Sequence, residues 1–219
     1  MNVAWIAWFT VLCATAATVV VLPFGVGLAW LLARRPFPGR SIVETLVSLP
    51  LVMPPVATGL ILLVVFSRRG PIGGWLERLG IDVVFTWKAV VLAMALMGLP
   101  LLVRTARAGF EQVHRRYEDV AATLGARPLR VFLTISLPLA WPSVLAGAVL
   151  AFARALGEFG ATIVVAGSIP GVTRTLAVAI YSDAETGRDA EAFTLLLVSA
   201  GIAFVALWAA NRLAERRPV

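Results

Sequence analysis

An apolar run of about 31 residues, residues 3–33, opens the sequence and contains no charged side chain. A helix needs only about 20 apolar residues to cross the hydrocarbon core, so this run predicts a spanning helix that is tilted or kinked. A secretory signal peptide is the competing interpretation. It is disfavoured because no positive residues precede the run and no small-residue cleavage site leads into polar sequence. Pro23, Gly25 and Gly27 favour a kink or the close approach of another helix.

Four further apolar stretches follow, and together they predict an all-α integral membrane protein with about five transmembrane helices. The composition agrees, because 60% of the residues are hydrophobic and only 14% are charged. With a mean hydropathy of +0.91, a soluble domain is excluded. We treat residues 1–219 as a single transmembrane domain, with spans at residues 3–33, 42–66, 84–103, 139–167 and 192–210 and a cytoplasmic segment at residues 109–138.

The basic residues lie in short clusters between the apolar runs. Despite the net charge of +7, this distribution is typical of topology determinants and not of a nucleic-acid-binding face. Arg34, Arg35 and Arg40 follow the first span and place that end in the cytoplasm. The resulting topology assigns 12 of the 19 basic residues to the cytoplasm and 6 to the outside, with Arg154 inside the membrane. The N-terminus is therefore predicted outside and the C-terminus in the cytoplasm.

Three prolines within six residues interrupt the second span, at Pro50, Pro54 and Pro55. Each proline removes an amide donor, and each interior one clashes with the preceding turn, so the helix cannot pass through unbroken. One interpretation is a broken helix that lines a pathway. The other is a helix that begins only after Pro55, with the preceding residues along the membrane interface.

Two opposite charges lie within the fourth span. Arg154 and Glu158 are four residues apart, so on a helix they share one face and can pair. Charge at membrane depth is costly and faces the bundle interior or water. The pair either fixes helix packing as a neutralised unit or forms part of a pathway or gate, to which Thr162 is a further candidate contributor.

A polar block at residues 117–138 separates the third and fourth spans. It contains an acidic pair, Glu118 and Asp119, then small residues, Gly125, a basic stretch and the ending Ile-Ser-Leu-Pro. A short helix over residues 117–124 that ends near Gly125 is predicted, since glycine is the preferred residue just after a helix C-terminus. Such a helix could bind in a groove of a partner protein, so the block is interpreted as a docking element.

Several kinds of active site have no support in the sequence. There is no GxxxxGK[ST] phosphate loop, no GxSxG and no HExxH motif, so neither nucleotide hydrolysis nor an embedded hydrolase is indicated. The single cysteine, Cys13, and the single histidine, His114, do not form a metal-ligand set. We expect a non-catalytic chain without a cofactor or metal of its own, which would need a partner to supply energy for any pumping.

The polar block resembles the EAA loop of binding-protein-dependent ABC importer permeases, in which an acidic-small-small triplet precedes a glycine and an I-x-L-P ending. Asp119-Val120-Ala121 is the triplet in register and departs from E-A-A, which leaves Glu118 or Asp119 open as the acidic contact. Other segments extend the resemblance along nearly the whole chain and are similar to molybdate ABC importer permeases. These are PFPG at residues 36–39, LPLVMPP at 49–55, RRGPIG at 68–73, TLGARPLRVFLTISLPLA at 123–140 and FARALGEFGATI at 152–163.

The resemblance implies the type I importer permease fold, a multi-pass subunit in the cytoplasmic (inner) membrane of a prokaryote. It also implies a homodimer, two copies of a cytoplasmic ABC ATPase that bind ATP and Mg, and an extracytoplasmic protein that captures the oxyanion. In this interpretation the residues that couple the chain to the ATPase are Glu118, Asp119, Ala121, Ala122, Gly125, Ile135, Leu137 and Pro138. The pathway or gate candidates are Pro50, Pro54, Pro55, Thr58, Arg154, Glu158 and Thr162.

The resemblance leaves two alternatives. A sulfate or tungstate permease of the same group is the near one, because the capture protein would select most of the cargo. A passive channel or membrane scaffold is the alternative from a different class, and the sequence contains no filter-like loop in its favour.

Overall fold

The computed structural model describes residues 2–215, and within them all regular structure is helical. Long helices alternate with short ones, and the short helices occupy the connections. The helices are α1 (Val3–Arg34), α2 (Arg40–Val52), α3 (Pro55–Phe66), α4 (Gly73–Arg78), α5 (Trp87–Gln112), α6 (Arg115–Thr123), α7 (Pro128–Val131), α8 (Leu137–Leu156), α9 (Gly160–Val165), α10 (Leu176–Glu185) and α11 (Asp189–Glu215), with a π-helical turn (Phe132–Ser136) between α7 and α8.

Helix α5 lies at the centre of the bundle and packs against both α1 and α8. Alanine and glycine are frequent among the buried residues of these helices, and they allow helix backbones to approach closely where lipid provides little hydrophobic driving force. At Gly147, an added Cβ would lie 3.0 Å from the carbonyl oxygen of Leu102, and at Gly98 it would lie 3.1 Å from that of Ala151. The close packing of α5 against α8 therefore requires small residues at these positions.

Within the described part of the chain, four segments are long and apolar enough to cross a membrane. They are Val3–Arg34, Trp87–Gln112, Pro128–Leu156 and Asp189–Trp208, and α2 with α3 makes a fifth if that bent pair is one span. The central helix begins later and ends later than the predicted span at residues 84–103. Its last turns pass Arg104 and Arg107 and include residues 109–112, which the sequence analysis assigned to the cytoplasmic segment. A helix continues after leaving the hydrocarbon, whereas hydropathy reports only its apolar part.

The predicted second span, residues 42–66, is two helices and not one. Their axes are bent by 113° at the break between Val52 and Pro55. Pro54 precedes α3, and Pro55 occupies its first turn, where the missing amide costs no hydrogen bond. Pro50 lies inside α2, near its end. The expectation of a break is confirmed. The alternative of a helix that begins after Pro55 holds for α3, although the preceding residues are themselves helical.

The predicted fourth span, residues 139–167, was wrong as a single helix. Helix α8 ends at Leu156, Gly157 forms a turn, and α9 begins at Gly160 after a short break. Between the predicted fourth and fifth spans the chain forms the short helix α10. The last helix is longer than the predicted span at residues 192–210, and it packs against α10 and α8.

Candidate coupling surface and helix breaks

Helix α6 matches the short helix predicted in the polar block, and Gly125 ends it as expected. The amide of Gly125 donates to the carbonyl of Ala122 (3.0 Å), and the amide of Ala126 donates to that of Ala121 (3.0 Å). This pair of bonds is a Schellman motif, which requires a left-handed residue after the helix. Gly125 adopts φ +82°, a conformation that costs other residues about 1–2 kcal/mol.

Glu118 is held inside the protein. Its Oε1 accepts hydrogen bonds from Arg34 Nε (3.0 Å) and from Ser136 Oγ (2.7 Å). Arg34 also donates to the carbonyl of Val113 (2.7 Å). The Arg34 side chain is only 7% exposed and that of Glu118 is 18% exposed, so this ion pair is largely shielded from water. It fastens α6 to the end of α1 and to the π-helical turn.

Asp119 is exposed and, within residues 2–215, forms no ion pair. Apolar side chains on the same helix also face outward, with Tyr117 and Val120 about half exposed and Leu124 82% exposed. Ala122 is exposed and Ala121 is partly so. We call Tyr117, Asp119, Val120, Ala122 and Leu124 the coupling surface. An unpaired carboxylate among exposed apolar side chains is typical of a surface that docks a partner.

The Ile-Ser-Leu-Pro ending of the block is helical. Ile135 lies in the π-helical turn, and Leu137 and Pro138 are the first two residues of α8. The amide of Leu137 donates to the carbonyl of Phe132, five residues back. Pro138 has no amide to donate, which favours a wider turn at this place. Ser136, which binds Glu118, is the buried residue of this turn.

The breaks in the two interrupted helices lie next to each other. A Cβ added to Gly160, at the start of α9, would lie 2.7 Å from Cβ of Pro55, at the start of α3. At Gly59 an added Cβ would lie 2.7 Å from the carbonyl oxygen of Ala161. The structure therefore brings the prolines of the second span against the break after α8, as a close contact between α3 and α9.

Thr58 of α3 and Thr162 of α9 are both buried, at 4% and 0% exposure. Neither hydroxyl oxygen has a hydrogen-bond partner within the described residues. An unsatisfied buried hydroxyl costs about 1–3 kcal/mol, so these two groups mark a place where the packing stores free energy. Their role in a pathway stays a prediction.

Arg154 and Glu158 form the predicted pair, with Nη1 and Oε2 2.7 Å apart. The two side chains do not share one helix face as predicted, because Glu158 lies beyond the end of α8. Its side chain is 1% exposed, and its second oxygen accepts a hydrogen bond from the amide of Ala161 (2.8 Å). Glu158 therefore neutralises Arg154 and satisfies an amide at the start of α9.

At the other end of the bundle, α10 is anchored to α1. The hydroxyl of Thr10 accepts a hydrogen bond from the amide of Leu176 (2.9 Å). Asp183 accepts one from Arg174 Nη2 (2.9 Å) and a further one from Arg188. These three charged side chains are thus paired with each other. Tyr181 donates to Glu185 (2.5 Å), and this carboxylate raises the pKa of the phenol.

Two partners in these sites are not predictable from the sequence. Arg34 has the pattern of a topology determinant, and Ser136 is one letter of the Ile-Ser-Leu-Pro ending. Because Arg34 and Glu118 are 84 residues apart, no local pattern connects them. Within residues 2–215, no group of His, Cys, Asp and Glu side chains is arranged to bind a metal ion.

Comparison with known proteins agrees with this architecture. Residues 22–217 match the family described as "Binding-protein-dependent transport system inner membrane component". The chain belongs to this family. It is similar to the molybdenum transport system permease protein ModB of Escherichia coli (strain K12), with 47% identity over 91% of this chain and 88% of that protein. It is also similar to the E. coli sulfate transport system permease protein CysT, with 39% identity over 78% of this chain and 62% of that protein.

Solved structures support the type I importer permease fold. A chain of the inward-facing MetNI methionine ABC transporter aligns with a TM-score of 0.75 at 16% identity, covering 96% of this chain and 93% of that chain. A chain of the bacterial alginate ABC transporter, in complex with a periplasmic protein bound to alginate pentasaccharide, aligns at 0.74 and 18% identity, covering 97% and 78%. At these identities the likeness shows the fold alone.

Proposed function

We propose that this chain is the membrane-spanning permease subunit of an ATP-driven ABC importer, which moves molybdate, and tungstate with it, across the inner membrane by alternating access. The observation that carries the proposal is the 47% identity to ModB of E. coli over nearly the whole of both chains. The exposed coupling surface adds independent support, because a chain without a phosphate loop needs a site at which a separate ATPase can act.

The complete transporter contains a homodimer of this chain in the lipid bilayer, two cytoplasmic ABC ATPase subunits that bind ATP and Mg, and an extracytoplasmic oxyanion-binding protein. The coupling surface fits a groove of the ATPase as a helix-in-groove contact. A tight oxyanion site needs many hydrogen-bond donors, whereas a pathway must release its cargo. The capture protein therefore supplies affinity, and the permease supplies weak contacts and movement.

Uptake of labelled molybdate tests this proposal. The chain, its ATPase and its capture protein are reconstituted in liposomes with ATP or with a non-hydrolysable analogue in the compartment of the ATPase. We expect accumulation with ATP alone. Equal uptake with the analogue would contradict an importer and favour the passive channel or scaffold.

Sulfate is the second candidate cargo, because of the 39% identity to CysT of E. coli. Competition distinguishes the two within the same liposomes. We expect unlabelled tungstate to suppress uptake of labelled molybdate. Sulfate at the same concentration should reduce that uptake only slightly. Preferential uptake of labelled sulfate would reassign the transporter to that cargo.

A further inference from the structure

A cavity of about 480 Å³ lies between α2 and α5, at the end of the bundle that carries α6. Its volume is within the range of small-molecule sites, about 300–1,000 Å³. Helix α2 contributes Ser41, Thr45 and Ser48, which follow each other at spacings of four and three residues and therefore lie on one face. Helix α5 contributes Arg104 and Arg107, three residues apart on the facing wall. The cavity is thus lined by hydroxyl groups of α2 on one side and by guanidinium groups of α5 on the other.

Among the described residues, the carboxylates around this cavity pair with only some of its arginines. Glu44 contacts Arg40 (2.9 Å) and Arg107 (2.8 Å). Arg107 also pairs with Glu111 (2.7 Å), so these two arginines and two glutamates neutralise each other. Arg104 is exposed and has no carboxylate partner within the part of the chain that the structure describes. The cavity therefore has one uncompensated positive charge.

Two hydroxyls of the cavity are available as donors. Thr45 donates to the carbonyl of Ser41 (2.8 Å), which uses its proton inside α2. The hydroxyls of Ser41 and Ser48, by contrast, make no hydrogen bond to another residue between 2 and 215. A guanidinium with hydroxyl donors opposite it is a set that recognises a tetrahedral oxyanion. The nearby carboxylate of Glu44 is neutralised by its two arginines, and its residual repulsion keeps such a site weak.

From this arrangement we propose that the cavity is a low-affinity oxyanion subsite, in which Arg104 supplies the charge and Ser41 and Ser48 the donors. The inference rests on the proposed function, because an oxyanion on its way out of the pathway at the α6 end is the ligand that would use a weak site there. The phosphate of an anionic lipid headgroup has the same chemistry, so the experiment must separate the two sources.

The test measures equilibrium binding of labelled tungstate to the permease–ATPase complex without the capture protein. The complex is placed in nanodiscs of phosphatidylcholine alone or with phosphatidylglycerol. We expect Arg104→Gln to weaken tungstate binding about tenfold, since one charge-assisted contact is lost, and Arg104→Lys to restore part of it. Ser48→Ala should weaken it by a smaller factor. The matched control is Arg78→Gln, which removes the same charge from an exposed position at the end of α4.

Tungstate binding that is unchanged by Arg104→Gln, or weakened equally by Arg78→Gln, would overturn the subsite. Phosphatidylglycerol that competes with tungstate in the parent complex but not in the Arg104→Gln complex would identify the lipid phosphate as a second occupant of the same site. Retention of phosphatidylglycerol that depends on Arg104, without any tungstate binding, would overturn the cargo assignment. ATP-driven uptake by the parent complex is measured in parallel, so failure of the importer proposal is recognised separately from failure of this site.

Discussion

At the scale of single residues, the two adjacent acids of α6 have different surroundings. Glu118 is shielded and bonded to Arg34 and Ser136, whereas Asp119 faces outward. The sequence left open which acid would contact a partner. Of these two acids, Asp119 has the exposed carboxylate that a partner can contact, whereas Glu118 attaches α6 to α1 and to the π-helical turn.

Glu118→Gln and Asp119→Asn form a matched pair of substitutions. Glu118→Gln removes the ion pair and leaves the charge of Arg34 largely buried, so we expect a loss of about 2 kcal/mol in the free energy of unfolding. Asp119→Asn should leave stability unchanged but reduce the amount of ATPase that co-purifies with the chain. Thermal unfolding in detergent and pull-down of the ATPase measure the two effects. The reverse pattern would exchange the assigned roles.

Glu158 also acts at this scale, because it pairs with Arg154 and accepts a hydrogen bond from the amide of Ala161. Glu158→Gln keeps an acceptor for that amide, whereas Glu158→Ala removes both interactions. We expect Glu158→Ala to lower the unfolding temperature more than Glu158→Gln does, because an unsatisfied buried amide costs about 1–3 kcal/mol. Equal losses in the two variants would show that the hydrogen bond contributes nothing.

At the scale of elements, the interrupted helices determine the architecture. The contact of α3 with α9 depends on glycine, since Cβ atoms at Gly59 and Gly160 would come within 2.7 Å of neighbouring atoms. The two breaks therefore form one tightly packed joint between α3 and α9. The buried hydroxyls of Thr58 and Thr162 lie on the same two helices, and within the described residues neither has a hydrogen-bond partner.

Gly59→Ala tests the joint. The new methyl group would meet the backbone of Ala161, and we expect overpacking to cost about 1–3 kcal/mol and to reduce molybdate uptake strongly. Gly157→Ala is the control, because nothing lies within 4 Å of its added Cβ. The two variants are compared by thermal unfolding and by uptake in liposomes. Equal behaviour would mean that α3 and α9 separate easily.

The sequence was informative where structure follows from local pattern. The apolar stretches, the helix before Gly125, the break at Pro54 and the pairing of Arg154 with Glu158 were all predictable. The end of α8 was not predictable, because Arg154 and Glu158 keep the four-residue spacing of a helix although the turn at Gly157 lies between them. The attachment of Glu118 was not predictable either, since Arg34 comes from a distant helix that only tertiary packing brings close.

At the scale of the whole molecule, the sites lie at two ends of one bundle. The coupling surface and the cavity with Arg104 belong to the end where α1 and α5 terminate, and α10 belongs to the opposite end. If the charge bias sets the orientation, the first of these ends is cytoplasmic and Ser67, at the end of α3, is outside.

Cysteine labelling tests this orientation. In a chain with Cys13→Ser, we expect Ser67→Cys to react with a membrane-impermeant maleimide added to intact cells. Thr123→Cys, at the end of α6, should react only after permeabilisation. The Cys13→Ser parent supplies the background. Labelling of Thr123→Cys in intact cells would invert the topology.

Helix α1 has a bonded residue near each of its ends. Between Thr10 and Arg34 the helix rises about 36 Å, at 1.5 Å per residue. Thr10 accepts a hydrogen bond from the amide of Leu176, and Arg34 donates one to Glu118. Helix α1 therefore connects α6, through Glu118, with α10, through Thr10. We expect a displacement of α6 to reach α10 along α1, a route that does not include the interrupted helices.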